Sequence, residues 1–321
     1  MAAGGGAAMV AAAVALLDSL GGAARERALL AFDDPRRLGW SYLPGDRGGL
    51  PLRAMDGDQR LLAHRLLRTA LSLPALAQAV TVGAWETVLE AVERRDDGRR
   101  DPGRYHVAIF GPPSGSAPWA WRFEGHHLSV SVTLRGDAPV AVTPLFLGAN
   151  PARVHLEAGG ALRPLGVEED LARELLGALD GERRARAVVA AEAPDDILSR
   201  MSVRAGDAHA EGIAASELDA AQRSLLRSLV RLYTGRLAPE LAVVFAGVED
   251  DPALRFAWAG GAEPGVPHYY RLSAGRLLVE YDCRQDGANH IHTVVRDPRG
   301  DLDVDPLRAH VAAAHGTDAH S

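Results

Sequence analysis

The 321-residue chain contains no lysine; all 35 of its basic residues are arginine. That absence removes Schiff-base chemistry, pyridoxal phosphate attachment and the lysine of a Walker-type phosphate loop. Cysteine is nearly as scarce, with Cys283 alone. One thiol builds no intramolecular disulfide, cysteine-rich zinc site or iron–sulfur cluster, so any metal must be held by His, Asp or Glu. Basic charge is also short: 42 acidic residues leave a net charge of −7, which disfavours nucleic acid as a partner. Long apolar runs are missing too. In the Ala-rich first thirty residues no basic residue precedes the apolar stretch and Asp18 interrupts it, so neither an export signal nor a membrane span is expected. The segment reads as the start of an amphipathic helix, and the chain as cytoplasmic. No GxGxxG or GxxxxGK[ST] motif marks a nucleotide site, and asparagine occurs only at Asn150 and Asn289.

What is present reads as a single domain over residues 1–321. Apolar spacing predicts helices over 9–31 and twice over 56–95, through Leu61, Leu62, Leu66 and Leu67 and then Trp85, Val88, Leu89 and Val92, so residues 1–100 are mainly helical. Between these helices, residues 39–55 form a Gly- and Pro-rich loop whose Trp40 and Tyr42 mark it as structured. Residues 93–104 are a charged, exposed junction. The period then changes to two, predicting strands over 105–110, 119–134 and 140–146 within a strand region at 104–156. Helices return over 167–200 and 214–236, filling 167–236. Further strands follow over 241–246, 254–259, 267–273, 276–283 and 289–296, and Pro306 opens a final helix over 305–315. The fold class is therefore α+β: a helical N-terminal segment packed on a mostly antiparallel sheet with inserted helices, and no visible internal repeat.

Twelve histidines make an imidazole metal site possible, and four of them fall on two strand segments. In the first, Trp119 to Val132, a regular strand points His126 and His127 to opposite faces, so one of the two is a ligand, beside Glu124 or beside Ser129. In the second, a hairpin with Asp286-Gly287 in its turn, His290 and His292 share a face. Such a His-x-His pair places two imidazoles roughly 6–7 Å apart, within reach of one ion. Glu280 and Asp282 share a face of the preceding strand. Cys283 reads as a small apolar residue. His268 is a weaker choice, as a ligand or an acid/base. Asn150 suits a turn, and Arg47, Arg122, Arg271 and Arg296 either bind a substrate carboxylate or pair with structural acids. His310, His315 and His320 read as solvated.

The stretches Trp121-Arg-Phe-Glu-Gly-His-His-Leu-Ser129, Gly148-Ala-Asn-Pro-Ala152, His268-Tyr-Tyr-Arg271, Glu280-Tyr-Asp282 and Ala288-Asn-His-Ile-His-Thr-Val-Val-Arg-Asp297 resemble a bacterial and fungal family known as domain of unknown function 3500. The resemblance runs from about Trp40 to the last helix and carries no activity with it. Its usual Tyr-Asp-Asn-Thr-Gln is Tyr281-Asp282-Cys283-Arg284-Gln285 here, which argues against Cys283 as a ligand common to the family.

Together these features point to a metal-dependent enzyme acting on a small molecule. His290, His292 and one of His126 and His127 are the expected metal ligands, with Glu124 or Glu280 as a fourth ligand or base and Arg122 and His268 as further catalytic groups. Imidazole and carboxylate donors suit a divalent ion, with iron(II) favoured and copper or zinc as alternatives. Trp119, Trp121, Phe123, Tyr269 and Tyr270 imply a dry pocket and lean toward oxidative chemistry. A zinc hydrolase on the same ligands, or a metal- or ligand-binding protein without catalysis, are the rivals. An organic acid or amino-acid-like substrate follows from the arginines; the sequence does not reveal the oligomeric state.

Overall fold

The structure is a computed structural model that describes residues 5–95, 97–114, 116–206 and 211–304. The final helix expected over 305–315, and with it His310, His315 and His320, lies outside the described residues.

Five long helices frame the fold: α1 (Gly5–Ser19), α2 (Gly57–Ala70), α3 (Leu73–Glu93), α4 (Gly166–Ala178) and α5 (Ala220–Thr234). Their starts are written in the sequence. Asp56 and Gln59 exchange side-chain and backbone hydrogen bonds in a capping box before α2, Asp219 and Gln222 do the same before α5, and Ser72 caps α3 with Pro74 in its first turn. Among the described residues, eight strands of five or more residues form the body of the sheet: β1 (His106–Phe110), β2 (Pro118–Gly125), β3 (Leu128–Arg135), β4 (Leu145–Ala149), β5 (Arg255–Gly260), β6 (His268–Ala274), β7 (Leu277–Cys283) and β8 (Ile291–Arg296). They lie in the order β1-β2-β3-β4-β8-β7-β6-β5, each antiparallel to its neighbours, so the fold is α+β. One face packs the helices in a continuous apolar core that includes Leu66, Val82, Leu147, Leu175, Leu229 and Val295. Over the other face lie irregular segments, where Trp40, Tyr42, Ile197 and Leu302 close on Phe146 and Val294.

Several expectations change. Residues 241–246 are not a strand: Pro239–Ala242 and Val243–Phe245 are short helical turns, begun at the proline. The helix expected over 167–200 is α4, a second helix at Gly181–Ala187 and a short strand at Val188–Ala190, after which Pro194 sits in irregular chain. The strand expected over 140–146 breaks at Thr143-Pro144, between Ala138–Ala141 and β4. The stretch 119–134 is two strands, β2 and β3, joined by a tight turn.

The chain also repeats itself. In each half, two helices lead to a short strand parallel to the first long strand (Leu29–Leu30 on β1, Val188–Ala190 on β5). A second short strand then runs antiparallel to the same one (Leu50–Pro51 on β1, Ile213–Ala214 on β5), followed by a capped helix and the sheet hairpins. The correspondence reaches single residues. Gly49 and Gly212 both have a positive φ, and a Cβ on either would strike the backbone carbonyl of the strand beside it, Val107 or Phe256. The last strands of the halves, β4 and β8, pair with each other and join them into one sheet.

Near this junction the buried Arg236 donates to Glu168 at 2.8 Å and to Thr293 at 2.9 Å, tying the end of α5 to the start of α4 and to β8. Arg236→Met leaves the buried Glu168 carboxylate without a cation and with only Gln78 Nε2 as side-chain donor, so we expect a loss of about 3–5 kcal/mol in urea unfolding. Adding Glu168→Gln to that variant should restore part of it; a loss below 1 kcal/mol in the single variant would show the pair to be dispensable.

Candidate metal centre

The turn between β2 and β3 consists of His126 and His127, with Gly125 paired to Leu128 across it. The strand geometry that would have separated the two rings is therefore absent: the imidazoles stack with centroids 3.7 Å apart. His127 adopts φ 62°, a left-handed conformation usually left to glycine. Its backbone is fixed on both sides, by His127 N donating to Tyr42 O at 3.0 Å and Gly148 N donating to His127 O at 2.8 Å. Gly148 also gives the ring its place. A Cβ on this residue would come within 2.9 Å of His127 Cδ2.

His292 lies opposite Gly148 in the β4–β8 pairing, and His290 immediately precedes β8. Their rings converge on His127, with centroids 4.8 Å (His127–His290), 5.3 Å (His127–His292) and 4.6 Å (His290–His292) apart. One nitrogen from each of the three lies within 4.8 Å of the other two. His127 Nε2 and His290 Nε2 face each other at 2.8 Å. The remaining nitrogens are held from outside. His292 Nδ1 lies 2.7 Å from Asp196 Oδ1, whose carboxylate also accepts from Tyr42 Oη and Ile197 N. His290 Nδ1 lies 2.9 Å from Asp286 Oδ2 and 3.2 Å from Asn150 Nδ2. A carboxylate on Nδ1 selects the tautomer that protonates it and turns an Nε2 lone pair inward.

Burial, reinforced by the neighbouring imidazoles, holds His127 well below the ordinary histidine range and pulls His290 down to about 4. These rings are neutral donors at neutral pH. Burial works to raise Asp196, but its hydrogen bonds with His292 and Tyr42 outweigh it and the carboxyl sits below its usual range. Asp282, paired with His292 across β7 and β8, behaves oppositely: burial pushes it up to about 8, and its Oδ2 has no partner among the described residues. Asp282, Asp196 and His292 form a second possible ligand group, and Glu86, His126 and His127 a third. In the third, Arg100 Nη1 stands 3.2 Å from the same His126 Nδ1 that meets Glu86 at 2.5 Å, so a guanidinium already occupies the place of a cation.

The other expected site residues lie elsewhere. Glu124 accepts from Ser41 N at 3.1 Å and faces Arg122 at 3.6 Å and Arg47 at 3.9 Å. Glu280 accepts from Ser199 N, Leu198 N and Tyr269 Oη. Neither belongs to a possible ligand group among the described residues. Arg122 donates to the carbonyls of Arg36 and Arg37 and, like Arg47, Arg271 and Arg296, pairs with a protein carboxylate. His268 is stacked between Trp258 and Tyr281, with Val266 O and Arg173 on its Nδ1. Trp119, Trp121 and Phe123 point into the helix-side core, and Trp40, Tyr42 and Phe146 supply the rings near the cluster instead. Cys283 is buried with its thiol pushed up to about 12, donating to Ala288 O.

Sequence reasoning missed Asp196, Glu86, Asp286, Arg100 and the wall made by Tyr42. Pro194-Asp195-Asp196 was the available signal, since a proline inside a predicted helix marks its end. The arrangement defines a class: an α+β protein with three imidazoles converging at the seam of a duplicated sheet. The chain belongs to the family described as a protein of unknown function (DUF3500), whose model matches residues 3–303. No curated protein and no solved structure matches it. Among the described residues, no helix is long and apolar enough to cross a membrane.

His106, His268 and His290 are each pulled down to about 4, by burial first. Unfolded, they titrate near 6.5, so between pH 6.5 and 4 the unfolded chain binds more protons. The stability from these neutral rings is complete above about pH 6.5 and is lost as the pH falls toward 4. Asp282, raised to about 8, works the other way over this window and offsets about one of the three rings, so metal-free protein should still show its urea midpoint falling; a midpoint constant from pH 6.5 to 4.5 would contradict the burial of these rings as neutral groups.

Proposed function

We propose that the protein is a metal-dependent enzyme acting on a small molecule, with His127, His290 and His292 holding one divalent ion. The observation that carries this reading is the 2.8 Å approach of two Nε2 atoms. With His290 Nδ1 protonated toward Asp286, its Nε2 is a bare lone pair aimed at His127. A shared cation, or one proton, relieves that opposition. Two nitrogens bound to one ion at about 2.0–2.1 Å stand a little over 3 Å apart, so a small opening of the pair admits it. Asp196 behind His292 supplies the outer carboxylate that orients a ligating imidazole and strengthens it as a donor.

Neutral imidazoles suit iron(II), copper and zinc alike. We favour oxidative chemistry at iron(II) or copper because Tyr42 and Phe146, stacked at 4.1 Å, wall the His292 side with rings, with Trp40 packed on both of them. One feature favours the rival: the three-histidine group holds no carboxylate, and three imidazoles on zinc also activate water.

After reconstitution with iron(II), copper or zinc, wild-type protein should hold close to one ion per chain and His290→Ala/His292→Ala should hold none. Equal metal content in the two would remove the site. Activity with zinc alone, without oxygen consumption, would decide for the hydrolytic reading. Asp196→Asn should weaken metal affinity about 10–100-fold. Gly148→Ala, which drives a methyl against the Ile291 carbonyl at 2.8 Å and His127 Cδ2 at 2.9 Å, should likewise lower affinity; full affinity in both variants would show that neither residue shapes the site.

A further inference from the structure

Arg100 belongs to a second feature beside the histidines. A cavity of about 290 Å³ is lined by Pro44, Gly45, Arg95, Arg99, Arg100 and Arg104. Among the described residues, its lining carries four guanidinium groups and no carboxylate. The acids that pair with them stand outside the lining: Glu93 holds Arg100 at 2.6 Å, Asp97 holds Arg95 at 3.0 Å and faces Arg99 at 3.4 Å, and Asp46 holds Arg104 at 2.9 Å. Each guanidinium has five N–H donors, of which these pairs use only some. Arg100 is the most committed. Glu93 takes its Nε and Nη2 in a fork, and its Nη1 faces His126 Nδ1 at 3.2 Å. His126 in turn stacks on His127. One imidazole therefore connects the cationic cavity to the candidate metal centre, and the Pro44-Gly45 wall belongs to the loop whose Tyr42 carbonyl holds His127 N.

We infer that this cavity is the anion subsite of the centre, binding a small dianion, a dicarboxylate or a phosphate ester, so that the substrate is anionic and its charged end is held by arginine. The inference rests on the metal-centre reading for the substrate role, though the cavity's capacity for anions is separately measurable. Planar guanidinium forks match carboxylate and phosphate oxygens alike, and a doubly charged group answers several of them at once. The volume suits a molecule of a few heavy atoms rather than a polymer.

The test uses full-length protein, with succinate and inorganic phosphate as probes. Titration calorimetry on metal-free wild type should show saturable binding of one or both, and the preferred probe distinguishes a carboxylate from a phosphate ligand. Arg99→Gln/Arg104→Gln, at the two positions whose partners are the exposed Asp97 and Asp46, should weaken that binding at least tenfold with the melting temperature unchanged. In copper(II)-loaded protein, the same probe should alter the electron paramagnetic resonance spectrum of wild type and not of the variant. No saturable binding, or equal binding by variant and wild type, overturns the subsite whatever the metal content. Binding that leaves the copper spectrum untouched overturns its link to the centre. Anion binding in a protein that holds no metal supports the cavity and sinks the metal reading alone.

Discussion

Arg122, Glu124, Arg271, Glu280, Asp282, His292 and Arg296 share one face of the sheet and are almost wholly shielded from water. Moving such groups out of water costs several kcal/mol per ion unless charges or dipoles replace the lost hydration. The replacements come from chain without regular structure. Arg122 takes the carbonyls of Arg36 and Arg37, Glu124 the amide of Ser41, Glu280 those of Leu198 and Ser199, and Arg296 takes Asp301 and the Ser202 carbonyl. Segments with little helix or strand of their own are thereby pinned across the sheet at defined positions. Asp196, two residues before Leu198, is brought to His292 by this anchoring, and Tyr42, one residue after Ser41, is brought to Asp196. The histidine cluster follows from pairing buried charge.

Duplication explains where the cluster stands, and divergence explains why, among the described residues, the two halves do not each form a three-histidine cluster. The two halves meet at β4 and β8, so segments from both reach the seam: the 39–47 loop from one, the 191–199 loop from the other. At corresponding hairpins the halves differ. The β6–β7 turn is Gly275-Arg276, with the positive φ carried by glycine, whereas the β2–β3 turn is His126-His127, with the positive φ carried by an imidazole residue. Placing histidine there costs on the order of 1 kcal/mol in backbone strain. Surrounding hydrogen bonds to Tyr42 and Gly148 hold it in place.

Much of this was legible in the residues. The helices over 56–95 were marked by apolar spacing and caps, and β6, β7 and β8 by alternation. The His-x-His pair was visible because its geometry is local: two residues apart on a strand means one face. What was not legible depends mostly on contacts distant in sequence. The apolar set switches from odd positions (Trp119, Trp121, Phe123) to even ones (Leu128, Val130, Val132) across Gly125-His126-His127, a phase change that marks the turn; reading the stretch as one strand hid it, and with it the stacking of His126 on His127. Glu124 and Glu280 looked available because a sequence shows a carboxylate but not the amides that fill it. The repeat escaped notice because it survives in glycines, caps and register, while most side chains between Leu50 and Ala70 differ from those between Ile213 and Tyr233.

The two asparagines show how local and distant information combine. Asn289 accepts from Arg153 N through its side chain at 2.8 Å and from Ala152 N through its carbonyl at 2.7 Å, fixing the 150–153 segment against the start of β8. Asn150, at the end of that segment, then reaches both Asp286 and His290 through its amide. An aspartate at 150 would place a second negative charge beside Asp286 and remove the N–H donor between them, which would leave the ring of His290 without its present orientation. A lysine or arginine would compete for the Asp286 oxygen that fixes the tautomer. With His290 Nδ1 protonated, that ring and the Asn150 amide both donate to Asp286 Oδ2, so a short neutral amide supports the carboxylate that orients the imidazole without adding charge, and that is the residue the chain keeps at this position while using it almost nowhere else.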